Sequence, residues 1–166
     1  MVFFCNGVGM SSKNIDLLCT TPVVLSPKKI SLVDWKPILL NILKKNLFFD
    51  ILEKDSVLLV NIIKNNTNGI LQIYNITNTL IQCIIENVKS YSVINMDTLY
   101  YAYRIFGVFP EYNENSYNFS IKIANYLKAN YVLYSIACGN ADKPNLEFQL
   151  ISVKSGEIIY VMYGAA

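Results

Sequence analysis

Three strand-length apolar runs close the chain, Tyr131 to Cys138, Leu146 to Val153 and Glu157 to Tyr163, and only short links join them. A turn as tight as Lys154-Ser155-Gly156 cannot carry the dozen or more residues, roughly, of a parallel crossover, so these runs must form an antiparallel meander. The other link, Gly139-Asn140-Ala141-Asp142-Lys143-Pro144-Asn145, is rich in turn formers and is expected to close the first hairpin.

Upstream, helical and strand patterns alternate. Asp34 is a good N-cap, Pro37 suits a first turn, and Trp35, Ile38, Leu39, Ile42 and Leu43 recur at helical spacing through Lys45. Ser56 to Ile63 is a β-branched apolar run of strand length, and Lys64 to Gly69 reads as a polar loop after it. Ile70 to Val88 predicts a helix, and Tyr91 to Ile94 a short strand. Asn95 or Asp97 can cap a helix through Phe106, with Gly107 as its stop, and Ser116 or Asn115 can cap another to about Lys128. The order predicts an α+β fold: a mostly antiparallel five-stranded sheet, helices packed on one face of it, and the C-terminal three-strand meander. Residues 1–33 carry Gly7, Gly9, Pro22 and Pro27 without strong periodicity and read as an N-terminal tail or short tether; residues 34–166 read as the globular domain.

The function classes that composition excludes are set by one absence. The 166 residues include no histidine, which removes the usual general base near neutral pH, the usual metal ligand and every Cys-His or Ser-His relay. Cys5, Cys19, Cys83 and Cys138 form no Cys-x-x-Cys pair, so a zinc or thioredoxin-like centre has no support; Cys83 and Cys138 sit among apolar neighbours as interior thiols that a disulfide could join. Carboxylates are scattered with no pair at short spacing, and Cys138 beside Gly139 lacks a base to activate it. A net charge of +2 gives no field to hold nucleic acid, and no apolar run approaches the ~20 residues of a spanning helix. No catalytic residue, metal or cofactor is expected.

Several segments together resemble the LpoB family of penicillin-binding-protein activators. They are Asp34-Trp35 opening the first helix, Ser56-Val57-Leu58-Leu59-Val60 running into Asn65-Asn66-Thr67-Asn68-Gly69, Tyr131-Val132-Leu133-Tyr134-Ser135 with Gly139-Asn140, and Gly156-Glu157-Ile158-Ile159 near Gly164-Ala165. The resemblance implies a non-catalytic outer-membrane lipoprotein at the periplasmic face. Its domain, a monomer, would bind the docking domain of a bifunctional class A penicillin-binding protein and stimulate peptidoglycan synthesis. It also implies a lipid-bearing cysteine. Cys5 is the nearest by position, but Met1 to Phe4 is shorter than the usual apolar stretch and puts Phe4 where a small residue belongs. The partner interface is expected on polar loops bordering the sheet, around Asn65, Thr67, Asn68, Asn140 and Asp142. The other reading of the same fold is a structural subunit of an outer-membrane or trans-envelope lipoprotein assembly, which self-association would reveal.

Overall fold

The computed structural model describes residues 33–112 and 114–166; residues 1–32, with Cys5 and Cys19 and nearly all of the segment expected as a tail, lie outside them. Residues 34–166 make one compact unit. Its elements run α1 (Trp35–Lys45), a 3-10 turn Phe48–Asp50, β1 (Val57–Val60), β2 (Lys64–Thr67), α2 (Ile73–Asn87), β3 (Ser92–Val93) and α3 (Met96–Ile105). A second 3-10 turn, Pro110–Tyr112, leads to α4 (Tyr117–Tyr126), β4 (Tyr131–Asn140), β5 (Lys143–Ser152) and β6 (Ile158–Ala165).

The helix starts follow from local chemistry. The Asp34, Asn95 and Ser116 side chains accept from the amides of Lys36, Thr98 and Phe119 at 3.3, 2.9 and 3.2 Å, each satisfying a donor that the first helical turn leaves open. The apolar stripe of α2 (Ile73, Ile76, Leu80, Ile84) is buried, as its spacing demands.

The sheet corrects two expectations. It is a mixed six-stranded sheet, ordered β3-β1-β4-β5-β6 with β2 also beside β4. The pairs β1·β3, β1·β4 and β2·β4 are parallel, and only β4·β5 and β5·β6 are antiparallel. The sixth strand is the segment expected as a loop: Lys64 to Thr67 pairs with Ile136 to Gly139. Its polar side chains hide a strand because the pairing is supplied by backbone groups at the far end of β4, not by apolar packing. The first hairpin is likewise tighter than expected, with β4 reaching Asn140 and β5 beginning at Lys143.

Helices also cover both faces. The side chain of Ile42 in α1 lies over Gly164, where a Cβ would sit 2.3 Å from Ile42 Cδ1, and Tyr160 donates to Asn46 O from that same face. Tyr134 points to the opposite face, since Leu133 shares its row with Leu150 and Tyr160; there it packs edge-on against Tyr117 of α4 at 5.8 Å. Alternating side-chain direction along β4 makes this two-sided arrangement necessary. The second face continues past α4 as an open surface over β5 and β6, carrying Glu147, Gln149, Val161 and Tyr163.

Candidate functional site

Between β1 and β2 the chain makes a break that fixes everything beyond it. Val60 stands opposite Leu133 and Lys64 opposite Ile136, so residues 61–63 face only 134–135: a bulge in a parallel pair. The bulge is buried, and its backbone groups must therefore find side-chain partners. Asn61 accepts from Ser135 N at 2.6 Å and donates to Ile62 O at 2.9 Å. Asn115 also donates to Ile62 O, Tyr103 Oη accepts from Ile62 N at 3.3 Å, and Thr77 Oγ1 accepts from Ile63 N at 2.9 Å. Asn61, Thr77 and Asn115 are fully buried. Burial is also the main cause that pushes the Tyr103 hydroxyl far above the ordinary tyrosine pKa. Thus α2, α3 and the segment before α4 are pinned to one point of the sheet.

Past that point, β2 carries the chain to the exposed end of the sheet, where the five expected interface residues meet. Thr67 stands opposite Gly139, Asn68 N donates to Gly139 O at 2.9 Å, and Asn68 Oδ1 accepts from Ala141 N at 3.0 Å. Asn140 Oδ1 accepts from Asp142 N at 2.8 Å, closing the two-residue turn of the β4–β5 hairpin. Asn65 Oδ1 accepts from Thr67 N and Oγ1 at 3.0 and 2.6 Å, and its Nδ2 donates to Gly69 O at 2.9 Å. Asn68, Asn140 and Asp142 are exposed; Asn65 and Thr67, expected in a loop, are half-buried on β2. Their amides mostly shape backbone, so what this end presents is a fixed contour. Gly69 belongs to it for a reason the sequence did not show: a Cβ there would lie 2.9 Å from Ala141 Cβ.

Beside this end lies a groove of about 590 Å³, shared through Asn65 and Gly69 and continued by Leu71, Ile73, Tyr74 and Pro110. Ile70 stands at its rim, 94% exposed. It falls outside the helix expected from residue 70, because α2 starts at Ile73.

The chemistry-bearing residues elsewhere do not converge. Glu53 and Asp55 border a polar cleft of about 630 Å³ at the other end of β1, with Tyr131 and Lys154, but both carboxylates are exposed. The Tyr131 hydroxyl is raised by burial and by Glu53. Cys83 is buried, with its thiol pushed up by that burial, while Cys138, expected in the interior, is half-buried on the open face of β4. Both are free thiols, so the disulfide is not formed. Among the described residues, no group of three or more Cys, Asp or Glu could hold a metal ion, and no helix is long and apolar enough to cross a membrane.

Fold and site together describe a small α+β domain whose mixed sheet ends in a surface shaped by asparagine side chains bonded to backbone. Residues 38–164 match the family described as peptidoglycan-synthase activator LpoB, and the chain belongs to that family. It is 35% identical over 140 residues to a penicillin-binding protein activator LpoB of Sodalis glossinidius, covering 84% of this chain and 72% of the relative. The activator of the same name from Photorhabdus laumondii is 36% identical over 141 residues, covering 85% and 74%. The solved LpoB C-terminal domain from Salmonella enterica superposes with a TM-score of 0.68 at 34% identity, over 81% of this chain and 98% of that one.

Proposed function

We propose that this protein regulates peptidoglycan synthesis without catalysing it, activating a bifunctional class A penicillin-binding protein by binding that enzyme's docking domain. The observation that carries the reading is the 35% identity, over 84% of the chain, to a relative named as a penicillin-binding protein activator. One copy acts on one synthase, from the periplasmic face of the outer membrane, with Cys5 as the lipid-bearing residue. The docking surface is the end of the sheet formed by Asn65, Thr67, Asn68, Asn140 and Asp142.

Activation then needs no chemistry from this chain. A regulator shifts its target only by its difference in affinity for the target's two states, and a tenfold difference corresponds to about 1.4 kcal/mol. A surface held rigid before contact loses little freedom on docking, and the asparagine-to-backbone bonds at this end supply that rigidity.

Binding of the full chain to the intact synthase, measured by biolayer interferometry, tests the reading. Wild type is expected to bind, and the combined Asn68→Ala, Asn140→Ala and Asp142→Ala variant to bind more than about tenfold more weakly, as loss of a central contact would give. Affinity within about twofold of wild type would place docking elsewhere. No binding by wild type would remove the activator reading itself.

A further inference from the structure

Among the described residues, nothing pairs with the outer edge of the sheet at β6. Asn145 stands opposite Ala165 and Leu146 opposite Gly164, while Ala166 donates its amide to Pro144 O at 3.1 Å. In an antiparallel pair the bonded and non-bonded positions alternate, so Gly164, Met162 and Tyr160 face β5 with their N–H and C=O groups. Val161, Tyr163 and Ala165 turn theirs outward, and among the described residues no strand lies beyond them.

Native edges are usually blunted by a lysine, a proline or an inward charge. Strand β6, Ile-Ile-Tyr-Val-Met-Tyr-Gly-Ala, has none of these. Its one irregularity, a register shift at Leu150/Ile151, lies at its start and leaves residues 160–165 in regular register. Ile158, Ile159 and Tyr163 are 45, 49 and 69% exposed.

We infer that β6 is a second part of the docking surface, pairing with an extended, uncharged segment of the penicillin-binding protein so that the sheet gains a strand. This rests on the activator reading above. Three outward N–H and C=O pairs at every second residue are matched only by another peptide backbone in extended form. A strand without charge is matched by a neutral one, since a lone charge placed against Val161 and Tyr163 would lose water without gaining a partner. The edge is also continuous with the asparagine-shaped end: Ala166 is bonded to Pro144, two residues beyond Asp142, so one partner can cover both.

Hydrogen exchange of residues 158–165 in the full chain, with and without saturating synthase, tests this. Together with it, Val161→Pro removes one outward N–H and leaves the bonds to β5 intact, and Tyr163→Lys puts a charge on the edge. The expected result is that the synthase slows exchange of this strand at least about tenfold, and that each variant weakens binding about tenfold or more while its unfolding midpoint stays near wild type. Binding of wild type with unchanged exchange, or variants within about twofold, would overturn the edge and leave the activator reading standing. Absence of any binding would overturn both. Slowing that grows with the concentration of the chain alone would assign the edge to a second copy and overturn the synthase as its occupant.

Discussion

Two stretches of one strand line, only a few residues apart, use asparagine in opposite ways. At Asn61 the side chain is fully buried and bridges Ser135 N to Ile62 O, so it substitutes for backbone pairing that the bulge has removed. At Asn65 and Asn68 the same side chain stands at the exposed end and bonds to Gly69 O or Ala141 N, shaping turns that water could also solvate. A buried polar group deprived of its partner loses about 1–3 kcal/mol, whereas an exposed one is rehydrated. The first asparagine therefore holds the fold, and the second sets a contour at little energetic consequence.

That contrast breaks most visibly at Asn61. Asn61→Leu leaves Ser135 N without its acceptor in the core and is expected to lower unfolding stability by about 3 kcal/mol in urea melts; a loss under about 1 kcal/mol would show that the bulge repacks freely. Tyr103→Phe removes only the acceptor of Ile62 N, and a loss of about 1–2 kcal/mol is expected. Asn68→Ala, at the exposed end, should cost about 0.5 kcal/mol or less, and a loss comparable to that of Asn61→Leu would erase the distinction between the two regions.

The buried side of the comparison also has a pH signature. Burial raises the Tyr91 hydroxyl to about 12 and pushes Tyr103 in the same direction, so the native protein holds these protons where the unfolded chain, with tyrosines near 10, gives them up. The stability they contribute is fully present below about pH 10 and is lost as pH rises through about 12. Urea midpoints should thus be level in this respect from neutrality to about pH 9.5 and fall by pH 11, with a smaller fall in Tyr103→Phe. A wild-type midpoint unchanged at pH 11 would mean that these hydroxyls reach water in the native state.

Much of the fold was legible because its signals are local. Asp34, Asn95 and Ser116 cap the helices that their positions predicted, and the short link at Lys154 to Gly156 does force β5 and β6 to be antiparallel. Strand β2 was not legible: Lys64-Asn65-Asn66-Thr67 has no apolar alternation, and its partner lies about seventy residues away in sequence. The same distance hid the role of Asn61, since nothing local separates a buried asparagine from the exposed ones in an asparagine-rich chain. The two polar segments share one end of the sheet because β2 runs parallel to β4, a pairing that the expected mostly antiparallel sheet did not contain. The helix was expected from Ile70 because a helical period does not show where the first turn begins; the apolar series itself starts at Ile73, as the packed stripe does.

Activation is tested most directly by polymerisation of lipid-linked peptidoglycan precursor by the proposed bifunctional synthase, with and without the full chain at micromolar concentration. Clear stimulation is expected from wild type and from Tyr103→Phe under conditions where that variant remains folded, and its loss in the combined Asn68→Ala, Asn140→Ala and Asp142→Ala variant. An unchanged rate with folded wild-type protein present would contradict activation by this protein.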